Sequence, residues 1–103
     1  MNNLPEILQY TKKMNLLYVE DNTEIRESIS AIFQDFFSEI IFALDGEDGL
    51  EKFYENKIDI VMTDIDMPRL NGLDMARKII KFDQTIPIII EFFLVFYFFN
   101  YIR

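Results

Sequence analysis

Four short apolar runs separated by segments of helical period constrain this chain more than any other feature. The runs are Met14-Asn15-Leu16-Leu17-Tyr18-Val19, Glu39 to Ala43, Ile58-Asp59-Ile60-Val61-Met62-Thr63 and Ile86-Pro87-Ile88-Ile89-Ile90. Runs this short and this rich in β-branched residues read as buried strands, and strands that alternate with helices pair in parallel. The first run closes in Glu20-Asp21 and the third in Asp64-Ile65-Asp66-Met67-Pro68. Parallel strands end at one edge of their sheet, and ligands of open α/β sheets bind in the crevice outside that edge. Glu20, Asp21 and Asp64 therefore meet there. Three gathered carboxylates repel one another unless a cation lies between them, and a hard divalent ion with oxygen ligands, magnesium first, meets that need.

The intervening segments carry their own punctuation. Asn22 or Thr23 caps a first helix whose apolar residues Ile25, Ile29, Ile32, Phe33 and Phe36 form one stripe facing the sheet. Asp45-Gly46 is a turn, and a second helix starts near Glu47 with Leu50, Phe53 and Tyr54 as its apolar face. Asp45-Gly46-Glu47-Asp48-Gly49 lacks the ligand spacing and closing glutamate of a calcium loop. Gly72 lets the chain enter a third helix, where Leu73, Ala76, Ile79 and Ile80 recur at helical period. These elements divide the chain into a polar lead-in over residues 1–13 with one or two helical turns after Pro5, a domain over 14–90 and an aromatic tail over 91–103. The tail holds five of the eleven phenylalanines, shows neither alternation nor helical period, and looks foreign to the rest.

Composition excludes several functions. Eighteen acidic against ten basic residues give a net charge of −8, the wrong sign for direct nucleic-acid binding. Without cysteine or histidine the chain has no thiolate site and no imidazole base, so any phosphohistidine belongs to another protein. The tail is shorter than the about 20 apolar residues of a membrane span. Met1 to Met14 lacks the apolar core of a signal peptide, which makes a cytoplasmic location the expectation.

With Glu20-Asp21, Asp64 and Asp66-Met67-Pro68 through Gly72 at strand ends, the chain resembles the receiver domain of two-component response regulators. The resemblance runs from about Met14 to Ile90. It rests on Leu17-Tyr18-Val19-Glu20-Asp21-Asn22, Asp45-Gly46-Glu47-Asp48-Gly49-Leu50, Asp64-Ile65-Asp66-Met67-Pro68 and Asn71-Gly72-Leu73-Asp74, in that order. It implies a flavodoxin-like, doubly wound α/β sheet, and phosphorelay signalling in which Asp64 accepts a phosphoryl group from a sensor histidine kinase or phosphotransfer protein. Such a domain is a regulatory phosphoacceptor rather than an enzyme. Glu20 and Asp21 would hold magnesium with Asp64, and the backbone carbonyl of Asp66 would complete the ligands.

The departures from the family are as informative. Its fourth strand ends in a serine or threonine followed by a small residue; counting from Pro87, Phe92 and Phe93 stand there. Its fifth strand ends in a lysine, whereas the last lysine here is Lys81. The expected fold is accordingly incomplete, with about four strands and three helices and with the last strand and helices missing. The exposed tail makes self-association an expectation. Two other readings stand beside the receiver. Thr63-Asp64-Ile65-Asp66 also resembles the first motif of haloacid-dehalogenase-like DxD phosphatases, although in that family the motif opens the fold. The third reading is a truncated or frame-shifted receiver fragment without signalling output.

Overall fold

Four parallel strands form the centre of the computed structural model, which describes the backbone of residues 4–92 and 95–99 and the side chains of residues 5–91. Among these residues the order is α1 (Leu4–Thr11), β1 (Asn15–Val19), α2 (Thr23–Phe33), β2 (Glu39–Ala43), α3 (Gly46–Glu55), β3 (Ile60–Asp64), α4 (Gly72–Phe82), β4 (Ile88–Phe92) and β5 (Val95–Phe99). The sheet runs β2-β1-β3-β4-β5, parallel up to β4. The expected doubly wound α/β class is therefore observed. No helix among the described residues is long and apolar enough to cross a membrane.

Local chemistry starts each helix where the sequence punctuates it. Asn22, Asp45 and Asn71 sit in extended backbone before α2, α3 and α4, and their side-chain oxygens accept from the amides of Ile25, Asp48 and Asp74. All three caps follow the carboxyl end of a strand, so the helices begin on the edge that holds the acidic residues.

Burial divides by strand alternation into two layers. Leu17, Val19, Val61, Ile88 and Ile90 face Phe53 of α3 and Met75, Ala76 and Ile79 of α4. Leu16, Tyr18 and Met62 face the other way, with Ile29 and Phe33 of α2 and with Ile89 packed against them. The two layers are unequal, because two helices cover the first face and α2 alone covers the second. The expected stripe on α2 is consequently only partly used: Ile29 and Phe33 pack on the sheet, whereas Ile32 is 58% exposed and Ile25 is also exposed.

The four expected parallel strands and the three helices between them are present, and the helical turns expected in the lead-in form α1. Among the described residues the family's last parallel strand is missing, as expected; in its place Val95–Phe99 pairs with β4 antiparallel, from Phe92↔Val95 to Ile88↔Phe99. The fourth strand also extends to Phe92, beyond Ile90. The side chains expected to drive self-association, including Phe93, lie outside the described residues.

Candidate functional site

At the carboxyl edge of the sheet, one carboxylate oxygen from each of Glu20, Asp21 and Asp64 lies within 4.8 Å of the other two. The register explains the convergence. Val19 pairs with Thr63 across β1 and β3, so the next residues along, Glu20 and Asp64, stand side by side where the strands stop. The sequence expectation that these three meet is fulfilled. Asp66 is exposed two residues beyond the strand, as expected of a residue whose side chain faces solvent.

Each carboxylate is anchored differently. Glu20 is 2% exposed; its Oε2 accepts from the Asn22 amide at 3.0 Å, and its backbone carbonyl accepts from Arg26 Nη1 at 2.9 Å. Asp64 Oδ1 accepts from the Ile65 amide at 2.8 Å, and its backbone carbonyl accepts from the buried Thr63 hydroxyl at 2.8 Å. Asp21 is exposed at the mouth.

The loop after β3 is held down by close backbone contacts. The Gly72 amide donates to the Ile65 carbonyl at 3.0 Å, and a Cβ on Gly72 would lie 2.0 Å from the Asp64 carbonyl oxygen. Arg69, in the left-handed region with φ 67°, reaches Asp45 through Nε at 2.7 Å and Nη2 at 2.9 Å. That forked pairing keeps the Asp45 carboxyl below its ordinary range and ties the start of α3 to the loop beside the site. No periodic signal marks this pair in the sequence, because its residues are 24 apart.

Crowding of like charges shows in the proton affinities. Glu20 is pushed up to about 7, first by burial and then by the charge of Asp64, against the opposing hydrogen bond from the Asn22 amide. Asp64 is raised by burial and next by the charge of Asp21. A group with a raised folded value binds more protons folded than unfolded, so its stabilising contribution is full below its unfolded value of 4.5 and is lost as pH rises through about 7. The metal-free chain, in chelator, is expected to lose stability between pH 5 and pH 8, with Glu20→Gln flattening the slope. Urea midpoints across that range check this, and a wild-type midpoint that climbs with pH would refute it.

Two buried groups escaped the sequence reading. Among the described residues Tyr18, on β1, has no hydrogen-bond partner for its buried hydroxyl, and Glu91, on β4 and 5% exposed, has none for Oε1. The register pairs Asp64 with Glu91, and Phe92, which counting from Pro87 places at the family's serine or threonine position, is the last residue of β4. Alternation along β4 was the available signal, since Glu91 shares a face with Ile89 as Asp64 does with Met62.

The family model of the response regulator receiver domain matches residues 16–91, a span that starts on β1 and stops on β4 and takes in all three carboxylates. The chain belongs to the response regulator receiver domain family. Among curated relatives it is 37% identical over 76 residues to the transcriptional regulatory protein DltR of Streptococcus agalactiae, covering 74% of this chain and 34% of that protein. It is 35% identical over 77 residues to response regulator RR06 of Streptococcus pneumoniae, covering 75% of this chain and 35% of that protein. The receiver domain described here thus spans about a third of the length of these relatives. Among solved structures it resembles the response regulator TrrA of Thermotoga maritima in complex with Mg(2+)-BeF, with TM-score 0.70 and 35% identity over 74% of this chain and 66% of that one. TrrA is also known in complex with the histidine kinase ThkA, with the same TM-score and identity over 76% of this chain and 67% of that one.

The family settles the class of function as two-component signal transduction. It gives no support to the phosphatase reading. That reading needed the Asp66 side chain as an acid or base next to Asp64, and Asp66 lies outside the three-carboxylate group, exposed to solvent.

Proposed function

We propose that this receiver domain is a phosphoacceptor in which Asp64 takes a phosphoryl group from the phosphohistidine of a partner kinase or phosphotransfer protein. The observation that carries the reading is the convergence of Glu20, Asp21 and Asp64 within 4.8 Å at the carboxyl edge of a parallel sheet. An Asp64 carboxylate oxygen attacks phosphorus, the P–N bond breaks, and the departing imidazole keeps the electron pair and takes up a proton. Little acid or base chemistry is needed, which suits a chain without histidine; the protein's task is to position the nucleophile and balance charge. The Ile65 amide on Asp64 Oδ1 and the Thr63 hydroxyl on its backbone carbonyl fix the nucleophile's direction.

The donor set fits magnesium, being all oxygen, anionic and too crowded to stay fully charged alone. Glu20, Asp21 and Asp64 would hold it with the Asp66 backbone carbonyl. When bound, the ion supplies positive charge against the phosphoryl oxygens. The cellular setting consistent with this reading is the cytoplasm, and the role is regulatory rather than enzymatic.

Removing one anionic ligand without changing its shape is the direct test. Asp21→Asn is expected to weaken magnesium binding by about tenfold, the equivalent of about 1.4 kcal/mol. Calorimetric titration reads the change. Equal affinity in the two proteins places the ion elsewhere.

A further inference from the structure

Glu91 extends the acidic edge in a way the family's phosphoacceptor chemistry does not use. Tyr18, Met62 and Ile89 stand in one row across β1, β3 and β4, and two residues further along the same faces come Glu20, Asp64 and Glu91. Asp64 is the middle member of that row. Its neighbours lie one strand spacing, about 4.8 Å, to either side at the backbone. Glu91 is nine-tenths buried and more, and its Oε1 has no donor among the described residues. The Arg26 guanidinium donates to the Glu20 backbone carbonyl and the Thr23 hydroxyl.

Resting on Asp64 as phosphoacceptor, we infer that Glu91 is a specificity-determining residue of the site, a fixed anion that strengthens divalent-cation binding and opposes phosphoryl loading of Asp64. A cation arriving at the edge adds two positive charges beside a row of three carboxylates, and Glu91 contributes to its attraction. A phosphoryl group on Asp64 turns one negative charge into close to two between two carboxylates, and Glu91 contributes to its repulsion. The effects have opposite signs because one charge acts on two ligands of opposite charge. Burial makes both larger than they would be at a solvated surface. Burial and then the charge of Asp64 raise the proton affinity of Glu91, in agreement with this proximity. The rival account is that Glu91 is a structural partner of the Tyr18 hydroxyl, the other buried oxygen without a partner, whose proton affinity it raises more than any other charge does.

The experiment compares the full chain with Glu91→Gln, Glu91→Leu and Tyr18→Phe. Magnesium chloride affinity is measured by calorimetry, and beryllofluoride uptake at saturating magnesium by fluorine NMR. Glu91→Gln keeps the shape, and Glu91→Leu replaces a buried acid by an apolar side chain that the β4 position accommodates if the glutamine variant folds poorly. Both are expected to bind magnesium about three- to tenfold more weakly and beryllofluoride about three- to tenfold more tightly, while Tyr18→Phe moves neither. Magnesium binding that stays at the wild-type value in both Glu91 variants, or two affinities that move in the same direction, overturns the inference and leaves the phosphoacceptor reading intact. A wild-type chain that binds no magnesium overturns both.

Discussion

Asp64→Ala takes up no phosphoryl label from acetyl phosphate, whereas the wild-type chain gains one acyl phosphate on Asp64. The effect is all or none because no other carboxylate has the same placement. Glu20 is buried with an oxygen held by the Asn22 amide, Asp21 is exposed at the mouth, and Asp66 is exposed and outside the three-carboxylate group. Mass spectrometry of the intact protein and of its peptides after borohydride trapping reads both the stoichiometry and the site. Label that persists in Asp64→Ala, on any residue, ends the assignment. The wild-type reaction itself is expected to be slow, since β4 ends in Phe92 rather than in a hydroxyl residue, and a missing donor to a developing anion costs about 2.7–4 kcal/mol. The same substitution carries a second signature. Removing one of several crowded carboxylates stabilises the metal-free protein at pH 8, where repulsion among Glu20, Asp21 and Asp64 is greatest.

The second large effect is on stability. Gly72→Ala is expected to lower it by about 2–3 kcal/mol, a fall in melting temperature of roughly 10–20 °C for a domain of this size. The new Cβ would lie 2.0 Å from the Asp64 carbonyl oxygen and 3.0 Å from the buried Thr63 hydroxyl. Both neighbours are fixed, one as backbone and one by its own hydrogen bond, so the loop from Ile65 to Gly72 must move and the Gly72 to Ile65 bond lengthens or breaks. Gly49→Ala is the control. Its Cβ meets Met75 Sδ at 2.5 Å, the flexible part of a side chain that can turn aside, and a smaller loss follows. Thermal and urea unfolding of the two variants rank them. Equal losses, or a Gly72→Ala chain as stable as wild type, would falsify the claim that loop contact with the Asp64 carbonyl holds the site in place.

Much of this architecture was legible in the residues because it depends on local rules. Val19-Glu20-Asp21 and Thr63-Asp64 mark where two strands stop, and a parallel sheet leaves those ends at one edge whatever the loops do. Asn22, Asp45 and Asn71 cap helices through side-chain bonds to amides three residues on, a reach that sequence spacing displays directly. Other features were hidden. The bidentate bond between Arg69 and Asp45 joins distant loops, and nothing periodic connects them. The outward turn of Ile32 depends on how much of one sheet face a single helix can cover, which no count of apolar residues reveals.

The tail shows the same division. Its composition and lack of period were plain in the sequence, and so was the break in character after Ile90. Hydrogen bonding in the tertiary structure decided that Glu91 and Phe92 continue β4 and that Val95–Phe99 returns antiparallel beside it. Register is a relation between strands, fixed by pairing across the sheet, and a shift of one residue exchanges its two faces. The sequence by itself therefore determined the parallel α/β class, the helix starts and the meeting of Glu20, Asp21 and Asp64. Only the tertiary structure decided that Glu91 stands opposite Asp64, buried and one residue before the end of β4.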